Sequence, residues 1–318
     1  MLDEMSLLED KIRVLVQEAW EREVHWADIE MWLSNFKGSF ESGDEEKRYV
    51  LFLLSRYMYF NKRLIREMLR SIYRDHFESP MLQRIRRNLN GTKDFLLVRQ
   101  QYHSELRATR FVGIGNPAES GAHLLYYFRQ VNNLQKDLFA DFTSAFEPCR
   151  DNNQQGYRQK DPTVTRFVFF DDLVGSGTQV AEYLEPYLNL IRKGSPNVEM
   201  RFISLFGTTT GLTKLASPAL FGSHVSCLFE LDNSYKAFSS DSRYFRSAPA
   251  WFKLEQLKKI AVGYGKELNR KWPTGYRHGQ LLLAFSHNTP DNAPPIFWYN
   301  GENIPWHPVF VRYEKFYD

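Results

Sequence analysis

Phe167-Val168-Phe169-Phe170-Asp171-Asp172-Leu173-Val174-Gly175-Ser176-Gly177-Thr178-Gln179 is the stretch on which the reading of this chain turns. Val164 to Phe170 reads as a strand, and its last four residues, Phe167-Val168-Phe169-Phe170, are all apolar, as expected of a buried strand. Two adjacent carboxylates follow at its C-terminal end, where open α/β sheets bind ligands. A turn of small residues then lets backbone N–H groups converge. The helical pattern that begins after the turn, running to about Ile191, points its partially positive N-terminus into the same space. The result is a cradle for one phosphate with two acidic side chains beside it. Paired carboxylates next to a phosphate suit the vicinal hydroxyls of a ribose, which donate hydrogen bonds to them.

Working outward, short apolar strands alternate with helical stretches after about residue 105. Arg110 to Ile114 reads as a strand, Gly115-Asn116-Pro117 breaks it, and Ser120 to Asn132 reads as a helix. Residues 148–163 read as a long polar loop. Val198 to Phe206, Val225 to Leu231 and Leu281 to Phe285 complete the strands, with a GTTTG turn after the first of these. This alternation predicts an α/β fold with a mostly parallel sheet flanked by helices. The first hundred or so residues read instead as a helical module. Met5 to Trp20 has apolar residues at helical spacing, and a longer apolar-basic stretch spans Lys47 to His76 with a break near Asn61. The expected domains are therefore 1–105, helical and helix-turn-helix-like, and 106–318, α/β.

Composition limits the function classes. Hydrophobic residues are 43% of the 318 and charged residues 25%, enough for a sizeable core. The net charge is only +3, so bulk attraction to nucleic acid is excluded as a driving force. Residues 62–87 nevertheless carry eight Lys/Arg against three Asp/Glu. That stripe is either a solvated helix face or a docking surface for nucleic acid or an acidic protein partner. Two cysteines, Cys149 and Cys227, exclude a disulfide framework and a Cys-rich zinc site. No apolar run is long enough to span a bilayer and the acidic start is no signal peptide, so a cytoplasmic protein with no membrane partner is expected. With 25 Phe, 17 Tyr and 7 Trp, the chain is rich in rings. A group from Trp272 to Trp306 is a candidate roof for the ligand.

At Asp171 to Gln179 the sequence resembles the ribose-5-phosphate-binding signature of type I phosphoribosyltransferases. The resemblance implies Asp171 and Asp172 on the ribose 2′- and 3′-hydroxyls. It implies Val174, Gly175, Ser176, Gly177, Thr178 and Gln179 around the 5′-phosphate. Phe111 to Ile114 followed by Gly115 to Gly121 is placed like the family's pyrophosphate loop, which makes Asn116, Glu119 and Ser120 candidate substrate contacts. Residues 148–163 stand where the family keeps its flexible loop, with Arg150, Arg158 and Lys160 available to close over a polyphosphate. Two features depart from the family. The pyrophosphate-loop position has no basic residue and contains Glu119, and Gly175 stands where some members carry an Asp. The general acid/base is thus unassigned, and both transfer of a phosphoribosyl group and N-glycosidic cleavage of a nucleotide stay open.

The segments GYGKEL (263–268), Gly275-Tyr276 to Gly279-Gln280, and Ser286-His287-Asn288-Thr289-Pro290-Asp291-Asn292 resemble the phosphoribosyltransferase-like effectors of bacterial conflict systems. Some members of that family accompany retron-type anti-phage systems. The resemblance covers about residues 106–300 and implies a nucleotide-directed effector. His287 and Asn288 follow an apolar strand; His287 is a candidate general acid/base and Asn288 a substrate contact, the other reading being a histidine that satisfies a turn. Tyr276, Phe285 and Trp298 are candidates for stacking on a base. No protein metal site is expected; Mg²⁺ is implied only if a polyphosphate sugar binds. The alternative function is a non-catalytic nucleotide sensor whose output runs through the basic stripe.

Overall fold

The computed structural model describes residues 4–114, 120–151, 154–301 and 303–313. In chain order the elements begin with α1 (Glu4–Val14), α2 (Trp26–Leu33), α3 (Gly43–Leu54), β1 (Met58–Phe60), α4 (Lys62–Tyr73), α5 (Ser79–Asn88) and α6 (Phe95–Arg107). Next come β2 (Thr109–Gly113), α7 (Ser120–Val131), β3 (Phe139–Ala140), α8 (Phe142–Ala145), β4 (Phe146–Asp151), β5 (Gln154–Gln159), β6 (Arg166–Val174) and α9 (Thr178–Gly194). The last are β7 (Glu199–Thr208), α10 (Thr209–Leu215), β8 (Val225–Leu231), α11 (Leu254–Leu268) and β9 (Leu283–Phe285). Among the described residues no helix is long and apolar enough to cross a membrane.

The chain divides into two compact units, one of residues 1–65 with 232–318 and the other of residues 66–231. These cuts differ from the expected boundary near residue 105. The physical reason is side-chain packing that periodicity does not show. In the first unit, N-terminal helices and C-terminal segments share one aromatic core. Trp32 stacks on Phe297 at 5.5 Å, and its indole N–H donates to the Ile296 carbonyl at 2.7 Å. Phe36 meets Trp306 edge-on at 5.4 Å. The buried Glu46 carboxylate accepts from the Gly38, Phe40 and Glu41 backbone and from the Tyr264 hydroxyl, so its burial is matched by donors. β9, expected as a further strand of the main sheet, pairs in parallel with β1, a strand the sequence reading missed. Of the rings expected as a ligand roof, Phe297 is fully buried in this core and Trp298, Tyr299 and Trp306 pack against the core cluster, whereas Trp272 and Tyr276 are half-buried outside it.

The second unit is a five-stranded sheet in the order β3-β2-β6-β7-β8, all parallel. The mostly parallel α/β sheet expected from the sequence is therefore the fold of this unit. β6 is central. Phe167, Phe169 and the α9 residues Leu184 and Leu188 share one core cluster, while Phe170 packs on Phe128 of α7. Because alternate strand residues face opposite ways, helices cover both faces of the strand. Residues 148–163 are not the expected loop. β4 and β5 form an antiparallel hairpin in register from Phe146↔Gln159 to Asp151↔Gln154. A cross-strand Arg158–Glu147 pair at 2.8 Å supports it, and Tyr157 packs on Tyr187 of α9.

The start of β6 is anchored by charge. The buried Arg166 guanidinium donates to Glu199 at 2.7 Å, to Glu105 at 2.9 Å and to the Thr109 hydroxyl at 3.3 Å. Burial by itself would push the Glu199 carboxyl up, but Arg166 and Arg201 outweigh it and hold it below the ordinary glutamate range. Stability from that depressed carboxyl is present above the ordinary range and lost as pH falls through its lowered value. Glu199→Gln is therefore expected to cost about 1–3 kcal/mol at neutral pH, since Arg166 keeps Glu105 as a partner and loses one charged hydrogen bond. Thermal unfolding of both proteins between neutrality and about pH 3 should show the gap closing in acid; a gap of constant size would contradict the assignment.

Candidate functional site

The ladders around β6 place the acid pair. With β2, pairing runs from Thr109↔Arg166 to Gly113↔Phe170; with β7 it continues to Val174↔Gly207. The strand is thus bonded on both flanks through Phe170 and, beyond it, along β7. In chain order the five strands lie second, first, third, fourth, fifth, so the order reverses between β2 and β6. A crevice outside the carboxyl ends of strands at such a reversal is where open parallel sheets bind ligands. Asp171 and Asp172 lie at that point.

Both aspartates are half-buried and both are held by the chain that follows. The Asp172 N–H donates to Asp171 Oδ1 at 2.9 Å, and the Leu173 N–H donates to Asp172 Oδ1 at 2.8 Å. Strand alternation sets Asp171 on the face of Phe167 and Phe169 and Asp172 on the face of Phe170. The carboxylates are therefore staggered across the sheet edge.

The turn after them is built by close backbone approach. Val174 is buried, so its side chain belongs to the core and its main chain is what faces the turn. Gly177 has φ +67°, a left-handed conformation that L side chains rarely adopt, and it caps α9. A Cβ added there would lie 2.9 Å from the Gly211 carbonyl oxygen. Reciprocally, a Cβ at Gly211 would lie 2.3 Å from the Gly175 oxygen. The first turn of α10, which follows β7 directly, thus sits against the turn after β6. Thr208 locks the two: its hydroxyl donates to the Gly175 carbonyl at 2.5 Å and accepts from the Gly211 N–H at 3.0 Å. Ser176 Oγ accepts from the Thr178 N–H at 3.4 Å. Thr178 is buried, and its hydroxyl accepts from the Lys214 ammonium at 3.1 Å. Gln179 is exposed at the first turn of α9.

Thr208, Gly211 and Lys214 escaped the sequence reading, which treated GTTTG as a plain turn. The available signal was a threonine at a strand end three residues before a glycine, an N-cap pattern. Other expected residues divide as follows. Asn116 and Glu119 lie outside the described residues, and Ser120 opens α7. His287 and Asn288 belong to the unit of residues 1–65 and 232–318, whereas the acid pair belongs to the other. The His287 ring stacks on Phe285 at 5.1 Å. Asn288 Oδ1 accepts from the Thr289 and Tyr313 N–H groups at 3.0 and 3.1 Å, a turn-forming role. Phe285 is buried, and the Trp298 indole N–H donates to the Ala293 carbonyl, so both serve packing.

Much of the basic stripe is paired within the chain. Arg74 bonds Asp75 and Arg84 bonds Glu105 at 2.7 and 2.8 Å, Arg63 and Arg70 pair with Glu21 and Glu67, and Arg66 lies over the Tyr127 ring. Of the hairpin bases, Arg158 pairs with Glu147 and Lys160 donates to the Thr143 carbonyl. The described residues hold no cluster of three or more His, Cys, Asp or Glu side chains suited to a metal ion. Burial, with Glu230 nearby, pushes the Cys227 thiol up to about 11, which makes it a poor nucleophile.

The loop contact is sensitive to a single methyl group. Gly211→Ala is expected to cost about 3 kcal/mol, the upper end for overpacking, because the obstructing atom is backbone. Gly222→Ala is the control: its φ is +57° with open space around it, so it should cost only about 1 kcal/mol of backbone strain. Equal melting temperatures for the two variants would disprove the interlock.

No curated protein matches the chain. Solved structures that match include an orotate phosphoribosyltransferase from Aeropyrum pernix, at 15% identity, 40% of this chain, 63% of that chain and TM-score 0.25. The match thus spans less than two thirds of that enzyme. A xanthine-guanine-hypoxanthine phosphoribosyltransferase from Helicobacter pylori matches at 10% identity, 48% of this chain, 78% of that chain and TM-score 0.26. A purine phosphoribosyltransferase from Pyrococcus horikoshii matches at 12% identity, 41% and 83% coverage and TM-score 0.20. The family model described as PRTase-CE matches residues 29–312, across both compact units, and the chain belongs to the PRTase-CE family.

Proposed function

We propose that this protein binds a ribose-5-phosphate-containing ligand, phosphoribosyl pyrophosphate or a nucleotide, at Asp171 to Gln179. In the same proposal it makes or breaks a bond at ribose C1′, as a phosphoribosyltransferase-like enzyme or a nucleotide N-glycosidase. The observation that carries the reading is one strand end: two carboxylates at the sheet's reversal point, followed by a glycine-capped helix N-terminus. The helix end and its backbone N–H groups favour a phosphate, and Asp171 and Asp172 accept from ribose hydroxyls. A carboxylate beside C1′ would also stabilise positive charge developing on the sugar as the bond breaks. Membership of the PRTase-CE family supports the ligand class. The resemblance to effectors of conflict systems supports a cytoplasmic role in anti-phage defence.

Mg²⁺ fits this site only together with its ligand. Two carboxylates offer hard oxygens, but the described residues add no third acidic or imidazole group. A bound ion would take its remaining oxygens from a polyphosphate and water. The competing sensor reading requires an output surface at residues 62–87, and the ion pairs within that stripe weaken its outward field.

The test is the double variant Asp171→Asn with Asp172→Asn, compared with the parent for binding of phosphoribosyl pyrophosphate and nucleoside monophosphates by calorimetry. Loss of two charge-assisted contacts should weaken binding by about 100-fold. Undiminished affinity would remove the site assignment. Mass spectrometry of nucleotide pools after incubation separates the two functions: consumption is expected, and a bound but unchanged nucleotide would establish the sensor instead.

A further inference from the structure

The turn Val174 to Gln179 contains no basic side chain, so its own sequence offers a phosphate only dipoles and hydroxyls. A cation reaches it from elsewhere. Lys214, on α10, donates to the Thr178 hydroxyl at 3.1 Å, and Thr178 is the first residue of α9. α10 is no loosely placed neighbour. Its N-cap Thr208 bonds the Gly175 carbonyl, and Gly211 lies against that same carbonyl. The lysine is therefore carried on a segment fixed to the phosphate turn by backbone contact.

We infer that Lys214 is a positioning residue that makes the turn selective for the phosphorylated sugar. The inference rests on the proposed ribose-5-phosphate site and adds the origin of its charge selectivity. A hydroxyl has one proton and two lone pairs. The ammonium of Lys214 occupies a lone pair of Thr178, which leaves the hydroxyl proton to be donated to an oxyanion. Chains of hydrogen bonds polarise one another, so a cation at the far end strengthens that donation. Thr178 is 3% exposed, whereas Lys214 is exposed, so the ammonium reaches the hydroxyl from the solvent side. The positive charge also attracts a phosphate dianion directly and offers nothing to an unphosphorylated ribose.

Five proteins decide it: the parent, Lys214→Ala, Lys214→Arg, Thr178→Val and the Thr178→Val/Lys214→Ala double variant, each titrated calorimetrically with ribose 5-phosphate and with ribose, alongside thermal melting. Lys214→Ala should bind ribose 5-phosphate about tenfold more weakly, with its melting temperature and its response to ribose unchanged. Lys214→Arg should recover most of the loss, since it restores a cationic donor. In the background of Thr178→Val the alanine effect should shrink, because the lysine acts in large part through that hydroxyl. If the parent binds ribose 5-phosphate and Lys214→Ala binds it equally well, the role of Lys214 is refuted while the site stands. If the parent binds no ribose 5-phosphate, the site and the inference fall together.

Discussion

The arrangement of the α/β unit depends on one strand being bonded differently along its length. Through Phe170, β6 shares ladders with β2 and β7; beyond it, the ladder with β7 runs on to Val174. A fully apolar segment is what a doubly covered strand requires, since both faces are buried and every backbone group is paired. Where the β2 ladder ends, polar side chains become tolerable, and there the sequence turns from Phe170 to Asp171. The acid pair is placed by the point at which hydrogen bonding with β2 stops.

The two ends of β6 use charge in different ways. At its start Arg166 is buried among Glu105, Glu199 and Thr109, so every charge has a partner and the cluster serves stability. At its far end the aspartates are half-buried and bonded to their own following N–H groups. Buried charge must be compensated inside the protein, whereas charge at a sheet edge keeps part of its hydration. The same register that ends β6 opposite Gly207 brings the two following loops together. Backbone contact between Gly175 and Gly211 then gives the turn after β6 a rigid wall, and α10 carries Lys214 beside it.

Much of this was legible in the residues. The run from Phe167 to Gln179 contains strand, acid pair, turn and helix start in contiguous order, so local rules suffice to read it. The hairpin of β4 and β5 was missed because its polar residues hide a two-stranded register; Arg158 opposite Glu147 was the signal. The boundary near residue 105 followed from a change of periodicity, which reports local structure and says nothing of which helices share a core. Trp306 and Phe297 looked available for a ligand because a lone aromatic reads the same in a pocket as in a core. Contacts with Phe36 and Trp32, more than 260 residues away in the chain, decide the matter.

The sequence by itself determined the elements whose causes are local. These are the apolar strand, the adjacent aspartates at its end, and the small-residue turn that a helix follows. Tertiary structure alone decided what lies next to that turn. The Thr208, Gly211 and Lys214 contacts join residues about 33–36 positions apart, and they exist because a parallel ladder sets Val174 beside Gly207. Which side chains become neighbours across strands depends on register, and register is fixed by burial of whole faces.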